Sequence, residues 1–286
     1  MKEIVIISGK GGTGKTTIAG SFAVLTDKVV VADCDVDAPD LHLLLHPELI
    51  ETSEFAGSKS AFINKSRCVE CGLCKGNCKF NAISEEFSVD THSCEGCGVC
   101  ALVCPVQAVE MKEKVSGYSY ISKIENGFMS HALLNPGEEN SGKLVTFVRD
   151  KAKEIAMKEN IGKIIIDGAP GISCPVISSV TGTNAGVVVT EPTVSGVHDL
   201  KRILELMEHF RVKPFVLINK FDINKDKAKE IEEFCVEKGV EVVGKIPFDP
   251  VVTTAMVNGE PVVKFIPQSE VSKEIKRIWK KVSENF

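Results

Sequence analysis

The segment Gly9-Lys10-Gly11-Gly12-Thr13-Gly14-Lys15-Thr16 constrains the fold of this chain more than any other. It has the spacing G-x-x-x-x-G-K-[ST]. It follows the apolar run Glu3-Ile4-Val5-Ile6-Ile7-Ser8 and opens a helical pattern from Thr16 to Leu25. A strand that turns through glycines into a helix aims the helix's unpaired N–H groups and positive end at the turn. Glycines let the backbone curl round phosphate oxygens. In such a loop Lys15 reaches the β- and γ-phosphates and the Thr16 hydroxyl meets Mg²⁺. A glycine turn without a ligand is the alternative, and the strand–helix context argues against it.

The same rhythm recurs along the chain. Val29-Val30-Val31-Ala32, Ile164-Ile165-Ile166-Asp167, Gly186-Val187-Val188-Val189, Phe215-Val216-Leu217-Ile218 and the stretch 240–246 are short and rich in β-branched residues. Amphipathic stretches at 143–158, 196–210 and 225–238 lie between them. Strands apolar on both faces, alternating with helices, predict an α/β fold: a mostly parallel sheet with helices on both faces. A chain of 286 residues holds one large or two modest domains. The rhythm breaks at 60–112, which predicts a small inserted domain between two parts of the nucleotide domain, 1–59 and 113–286. The flanks 46–60 and 112–142 show no clear period.

That break contains eight of the eleven cysteines. The spacings are Cys68-x₂-Cys71-x₂-Cys74-x₃-Cys78 and Cys94-x₂-Cys97-x₂-Cys100-x₃-Cys104-Pro105. This is the bacterial two-cluster ferredoxin run, present twice, and in it the fourth cysteine of each run crosses to the other cluster. The spacing thus predicts two [4Fe–4S] clusters, one on Cys68, Cys71, Cys74 and Cys104, the other on Cys78, Cys94, Cys97 and Cys100. Zinc is the main alternative, but it usually takes paired C-x₂-C units set further apart. Lys79 follows Cys78 where Pro105 follows Cys104.

Composition excludes several classes. The net charge of −5 argues against nucleic acid as the main ligand. No apolar run approaches the ~18 residues of a membrane helix. The first apolar run is too short for a signal peptide, so the expected location is cytoplasmic and the cysteines are not expected to form a disulfide framework.

The additional Lys10 inside the loop, in Gly9-Lys10-Gly11-Gly12-Thr13-Gly14-Lys15-Thr16-Thr17, resembles the deviant Walker A motif of the MinD/ParA/nitrogenase-iron-protein superfamily. The resemblance implies ATP as the nucleotide. It also implies an ATP-dependent homodimer, or a dimer with a paralogue, in which Lys10 reaches the partner's nucleotide; a solvated loop lysine is the alternative. Val31-Ala32-Asp33-Cys34-Asp35 places two carboxylates at a strand end. The resemblance puts Asp33 near Mg²⁺ and makes Asp35 orient the attacking water, while turn-capping aspartates are the plainer reading. Ile164 to Gly171 resembles Walker B and its switch, with Asp167 holding Mg²⁺ through water. Asn219-Lys220 matches the family's adenine site, and Ile246-Pro247-Phe248-Asp249 its other base-pocket segment. Chains of this superfamily with an inserted two-cluster ferredoxin form a group that this sequence resembles from end to end. Residues 137–143 and Thr190-Glu191-Pro192-Thr193 also look like segments of that group.

Some signals stay open. Cys174 sits seven residues after Asp167, at the offset of the iron protein's cluster cysteine, but Asn140 stands where that protein has its second cysteine. A contact with a transient ligand and a small buried cysteine are both open for Cys174. Cys34 and Cys235 read as buried apolar residues. Val271, Ile275, Ile278, Val282 and Phe286 make one helical face at the C-terminus. It can lie on a membrane or pack on the sheet; Glu270, Glu274 and Glu284 favour packing. Three functions follow: an ATPase whose dimer switch is coupled to electron transfer with a redox partner, a scaffold or carrier for metal-cofactor assembly, or a MinD-like positioning ATPase with structural clusters.

Overall fold

The computed structural model describes residues 1–138 and 142–285. Contact density divides the chain into two compact units. One comprises Met1–Thr52, Ser119–Leu133 and Asn140–Phe286; the other comprises Ser53–Tyr118 and Leu134–Glu139. The second unit is wider than the 60–112 segment expected from sequence. It takes in the turns before and after its closing strands and a returning stretch near residue 135, where the Asn135 backbone N–H donates to the Ser116 carbonyl at 2.9 Å.

The first unit is built on a nine-stranded sheet. Its strands are β1 (Lys2–Ser8), β2 (Val29–Asp33), β3 (Glu48–Phe55), β6 (Gly117–Ile124), β7 (Gly127–Leu134), β8 (Lys163–Pro170), β9 (Ala185–Thr190), β10 (Lys213–Asn219) and β11 (Glu241–Ile246). Strands β4 (Ser58–Ile63) and β5 (Val109–Lys114) form a separate antiparallel pair. The large sheet runs β11-β10-β9-β1-β8-β2-β7-β6-β3. Every pairing from β11 through β7 is parallel. That is the geometry expected from apolar runs buried on both faces, and β1 is fully buried from Ile4 to Ile7. The flanks that carried no clear period supply β3, β4, β6 and β7.

The helices are α1 (Lys15–Val24), α2 (Leu41–Leu45), α3 (Leu73–Gly76), α4 (Val99–Leu102), α5 (Lys143–Lys158), α6 (Cys174–Val180), α7 (Val194–His209), α8 (Lys225–Glu237), α9 (Pro250–Val257), α10 (Val262–Phe265) and α11 (Glu270–Glu284). One core cluster joins Phe22 of α1 with strand residues such as Ile4, Val31 and Phe215. It also takes the apolar face of α11: Val271, Ile275, Ile278, Trp279 and Val282. Phe22 and Trp279 stack with ring centroids 4.6 Å apart. The C-terminal helix therefore packs on the sheet, and the membrane alternative loses its apolar face. Phe286 lies outside the described residues. No helix among the described residues is long and apolar enough to cross a membrane.

The second unit has a much smaller core: Ala61, Ile63, Cys74, Ile83 and Val109, with several of the cysteines packed against it. Its hairpin β4–β5 pairs Ser58 with Lys114 through Ile63 with Val109. Lys114 pairs with Glu138.

Candidate functional site

In an open parallel sheet, ligands bind beyond the carboxyl ends of the strands, near the point where the chain changes direction across the sheet. Strand β1 lies at that point, between β8 and β9. The glycine loop leaves its end. Gly12 and Gly14 adopt left-handed backbone conformations with φ 78° and 90°. Gly14 starts α1, and a Cβ there would lie 2.5 Å from Asn219 Nδ2, so the position suits glycine on both counts. Gly11 and Gly12 face open space.

Lys15 is 6% exposed and sits among carboxylates. Its Nζ donates to Asp167 Oδ1 at 2.6 Å and lies 3.4 Å from Asp35 Oδ2. The register of β2 on β8 sets Asp33 opposite Asp167. Burial works against a charged Lys15, but Asp167 and then Asp35 overcome it and raise the ammonium's pKa. Burial pushes the Asp35 carboxyl up, with Lys15 pulling the other way. Asp33 is fully buried, and burial followed by repulsion from Asp167 holds its carboxyl well above the usual range. Three acids surrounding one lysine make a site whose own charges do not balance. Among the described residues of this site, two buried side-chain atoms have no hydrogen-bond partner, Asp167 Oδ2 and Thr13 Oγ1.

The expected residues are not all used alike. Lys15, Asp35 and Asp167 are brought together. Asp33 spends both oxygens on backbone: Oδ1 accepts from Asp35 N at 3.2 Å and Oδ2 from Leu41 N at 3.3 Å. That is the turn-capping use its position allowed, and it sets Asp33 apart from the residues facing the loop. Thr16 is half-buried on the first turn of α1, and the Thr17 hydroxyl donates to Met256 Sδ at 3.4 Å. Asn219 Nδ2 donates to the Thr13 carbonyl at 2.8 Å, which places the Asn219 amide on the loop. Phe248 N donates to Asp222 Oδ1 at 2.7 Å, and Asp249 caps α9 through Val251 N at 2.9 Å. Lys10 lies 3.3 Å from Glu191, which also holds Lys220 at 2.6 Å. The sequence reading gave Glu191 no role; an acid 181 positions away in the chain carries no local signal.

A second site lies in the cysteine-rich unit. Cys78, Cys94, Cys97 and Cys100 line one pocket, together with Phe80 and Val99. Cys68, Cys71, Cys74 and Cys104 line another. None of the eleven cysteines is in a disulfide. Gly96 turns with φ 63°, and a Cβ there would lie 2.2 Å from the Lys59 carbonyl oxygen, so this turn admits only glycine. Backbone N–H groups point at the sulfurs: Ala61 N donates to Cys94 Sγ at 3.5 Å and Ala108 N to Cys104 Sγ at 3.2 Å. Burial acts to raise both thiols, but these and neighbouring backbone N–H groups bring them below the usual thiol value. Among the described residues no three acidic, histidine or cysteine side chains meet at a point that could hold a single ion. Each set of four lines its own pocket.

Of the other three cysteines, Cys34 and Cys235 are buried, as read from the sequence. Cys174 is exposed at the first position of α6, which corrects the reading of it as a small buried residue. Residues 139–141, including Asn140, lie outside the described residues.

Comparison with known proteins places this architecture. The CobQ/CobB/MinD/ParA nucleotide binding domain matches residues 4–262. An uncharacterised protein of Methanocaldococcus jannaschii is 35% identical over 289 residues, covering 99% of this chain and 96% of its own. The septum site-determining protein MinD of Bacillus subtilis is 22% identical, covering 91% of this chain and 81% of its own. Among solved structures, the cell division ATPase MinD of Pyrococcus furiosus superposes with a TM-score of 0.59 at 17% identity, covering 99% and 98% of the two chains.

Proposed function

The chain belongs to the CobQ/CobB/MinD/ParA nucleotide-binding family, and we propose that it works as a MinD-like switch ATPase carrying two [4Fe–4S] clusters in its cysteine-rich unit. The observation that carries the ATPase reading is the Lys15–Asp35–Asp167 constellation at the mouth of an open glycine loop. Residues Gly9 to Thr17 wrap the phosphates with backbone N–H groups, and the α1 N-terminus adds its positive end. Lys15 moves from the carboxylates to the β- and γ-phosphates. The residues present fit Mg²⁺: the unpartnered Asp167 oxygen and the Thr16 hydroxyl are hard oxygen donors beside excess negative charge. Asp167 would hold the ion through water, with Asp33 behind it. Bound there, Mg²⁺ would neutralise charge that develops on the phosphates. Asp35 orients the attacking water. Asn219 can both donate to and accept from an adenine edge. Lys10 reaches the nucleotide of a second copy or a paralogue.

A MinD from Pyrococcus horikoshii was solved with Mg-ADP, and an Aquifex aeolicus MinD as a complex with MinC. By analogy this chain passes its nucleotide state to a protein partner. The test is phosphate release by the anaerobically purified full chain. Slow Mg²⁺-dependent hydrolysis, lost in Asp35→Ala with ATP binding retained, supports the reading. Hydrolysis unchanged in Asp35→Ala overturns the role given to Asp35, and failure to bind ATP at all overturns the whole.

The cluster reading rests on the two four-cysteine cavities. The repeated two-cluster cysteine spacing, with backbone N–H groups donating to Cys94 and Cys104, suits a cubane better than one zinc ion. Bound there, the clusters supply one-electron redox capacity. Two adjacent sites, rather than one, favour a second reading in which the chain passes electrons to a redox partner in the cytoplasm. An anaerobic EPR redox titration with and without MgATP separates the two. A nucleotide-dependent potential or line shape supports coupled electron transfer. Clusters that ignore nucleotide support the MinD-like reading with structural clusters, and clusters that pass to an apo-acceptor support a carrier.

A further inference from the structure

Lys10 does not extend freely from the loop. Its Nζ lies 3.3 Å from Glu191 Oε2, while Lys220 Nζ lies 2.6 Å from Glu191 Oε1. Lys220 also donates to the Gly12 carbonyl at 3.2 Å. Glu191, just beyond β9, therefore grips the loop twice, once through the Lys10 side chain and once through Lys220 to the backbone. The two arms differ. The Lys10 side chain is 37% exposed and its pairing is long; Lys220 is 29% exposed and held closely. Glu191 itself is only 12% exposed, so losing every partner would be costly. Losing Lys10 alone is cheap, because Lys220 stays. The geometry is that of a contact that can open on one side without stranding a buried charge.

We propose that Glu191 is an intramolecular latch that keeps Lys10 within its own protomer until a second, nucleotide-loaded copy of this chain draws it across. The proposal rests on the reading of Lys10 as a residue that acts on a partner's nucleotide. It makes Glu191 a positioning residue that sets the threshold for dimerisation rather than a group in the hydrolysis step. It also assigns Lys220 a part: Lys220 keeps Glu191 in place while Lys10 leaves.

The size of the effect follows from the exposure of the pair. A partly exposed ion pair shifts an equilibrium by about twofold to fivefold. Two latches open per dimer, so removing them tightens the dimer by roughly fourfold to twenty-five-fold.

The test is sedimentation equilibrium of the full, iron-loaded chain with Mg²⁺ and a non-hydrolysable ATP analogue. Wild type, Glu191→Gln, Lys10→Ala and the double variant are compared, and MgADP affinity is measured on each. Glu191→Gln is expected to tighten the dimer within that range and keep MgADP affinity within about twofold. The double variant is expected to dimerise no better than Lys10→Ala. A dimer left unchanged or weakened by Glu191→Gln overturns the latch. So does a fall in MgADP affinity, which would make Glu191 a support of the loop, or a tightening that survives in the Lys10→Ala background. If Lys10→Ala alone dimerises like wild type, the reading of Lys10 fails and the latch falls with it. If Lys10→Ala weakens the dimer and Glu191→Gln does nothing, the latch alone fails.

Discussion

The two units of this chain reach stability by different means. In the nucleotide unit, strands such as Ile4–Ile7 and Val29–Ala32 are fully buried, and Phe22, Phe215 and Met129 fill the space around them. In the cysteine-rich unit the buried apolar residues number a handful, and thiols occupy places that side chains of a larger core would fill. A unit of roughly 70 residues with so small a core falls below what apolar burial alone holds together. The first unit is held by apolar burial, and in the second the proposed clusters would supply what the small core does not. Metal binding in such a unit is folding free energy.

The comparison can be broken at several points. The largest effect belongs to Lys15→Ala. Phosphate release should fall by about 10²–10³-fold, the scale for one preorganised donor. The ligand-free protein should also lose about 3–5 kcal/mol, because Asp167 and Asp35 lose their buried partner. Urea unfolding measures that loss, and iron content should not change. Next comes Phe22→Ala, which opens a hole between α1 and Trp279. It should cost about 3–5 kcal/mol with or without iron. A cost that appeared only in the iron-free protein would mean the two units do not have separate cores.

Asp33 offers a pH test. Burial first, and Asp167 second, raise its carboxyl well above the ordinary 3.8. The folded protein therefore keeps a proton that the unfolded chain releases, and stability falls as pH rises from about 4 through the raised value. In Asp33→Asn that fall is absent, but the amide also loses one of the two backbone acceptors, which costs about 1–3 kcal/mol at every pH. The variant should therefore be the less stable below about pH 4 and should gain on wild type as pH rises. Melting temperatures of the two proteins across pH measure it, and parallel curves would refute it. The smallest effect is expected of Cys174→Ala. This residue is exposed and belongs to neither set of four, so iron content should stay full and stability should change by less than about 0.5 kcal/mol. A loss of iron would bring a ninth cysteine into the account.

Legibility in the sequence divided along similar lines. β1, β2 and β8 to β11 were readable because buried parallel strands are continuous apolar runs. β3 was not: Glu48-Leu49-Ile50-Glu51-Thr52-Ser53-Glu54 stays exposed for nearly its whole length, so no face is marked by burial. The glycine loop, Lys15 and Asp167 were readable because their chemistry dictates local spacing. The cysteines grouped into two sets through a repeat whose spacing reflects how a short loop wraps a ligand. What could not be read depends on distant residues. Asp33 was expected near Mg²⁺ or as a turn cap, and only the fold shows its second oxygen accepting from Leu41 N. Lys10 looked unpartnered until the fold brought Glu191 to it.

The central claim is most directly tested by amide hydrogen exchange on the full chain, iron-loaded and after anaerobic removal of iron. The account predicts that stripping iron abolishes protection across 53–118 while β1, α1, β8 and the other elements of the nucleotide unit keep theirs. Protection in 53–118 that survives without iron would contradict it, as would a loss that spreads equally through both units.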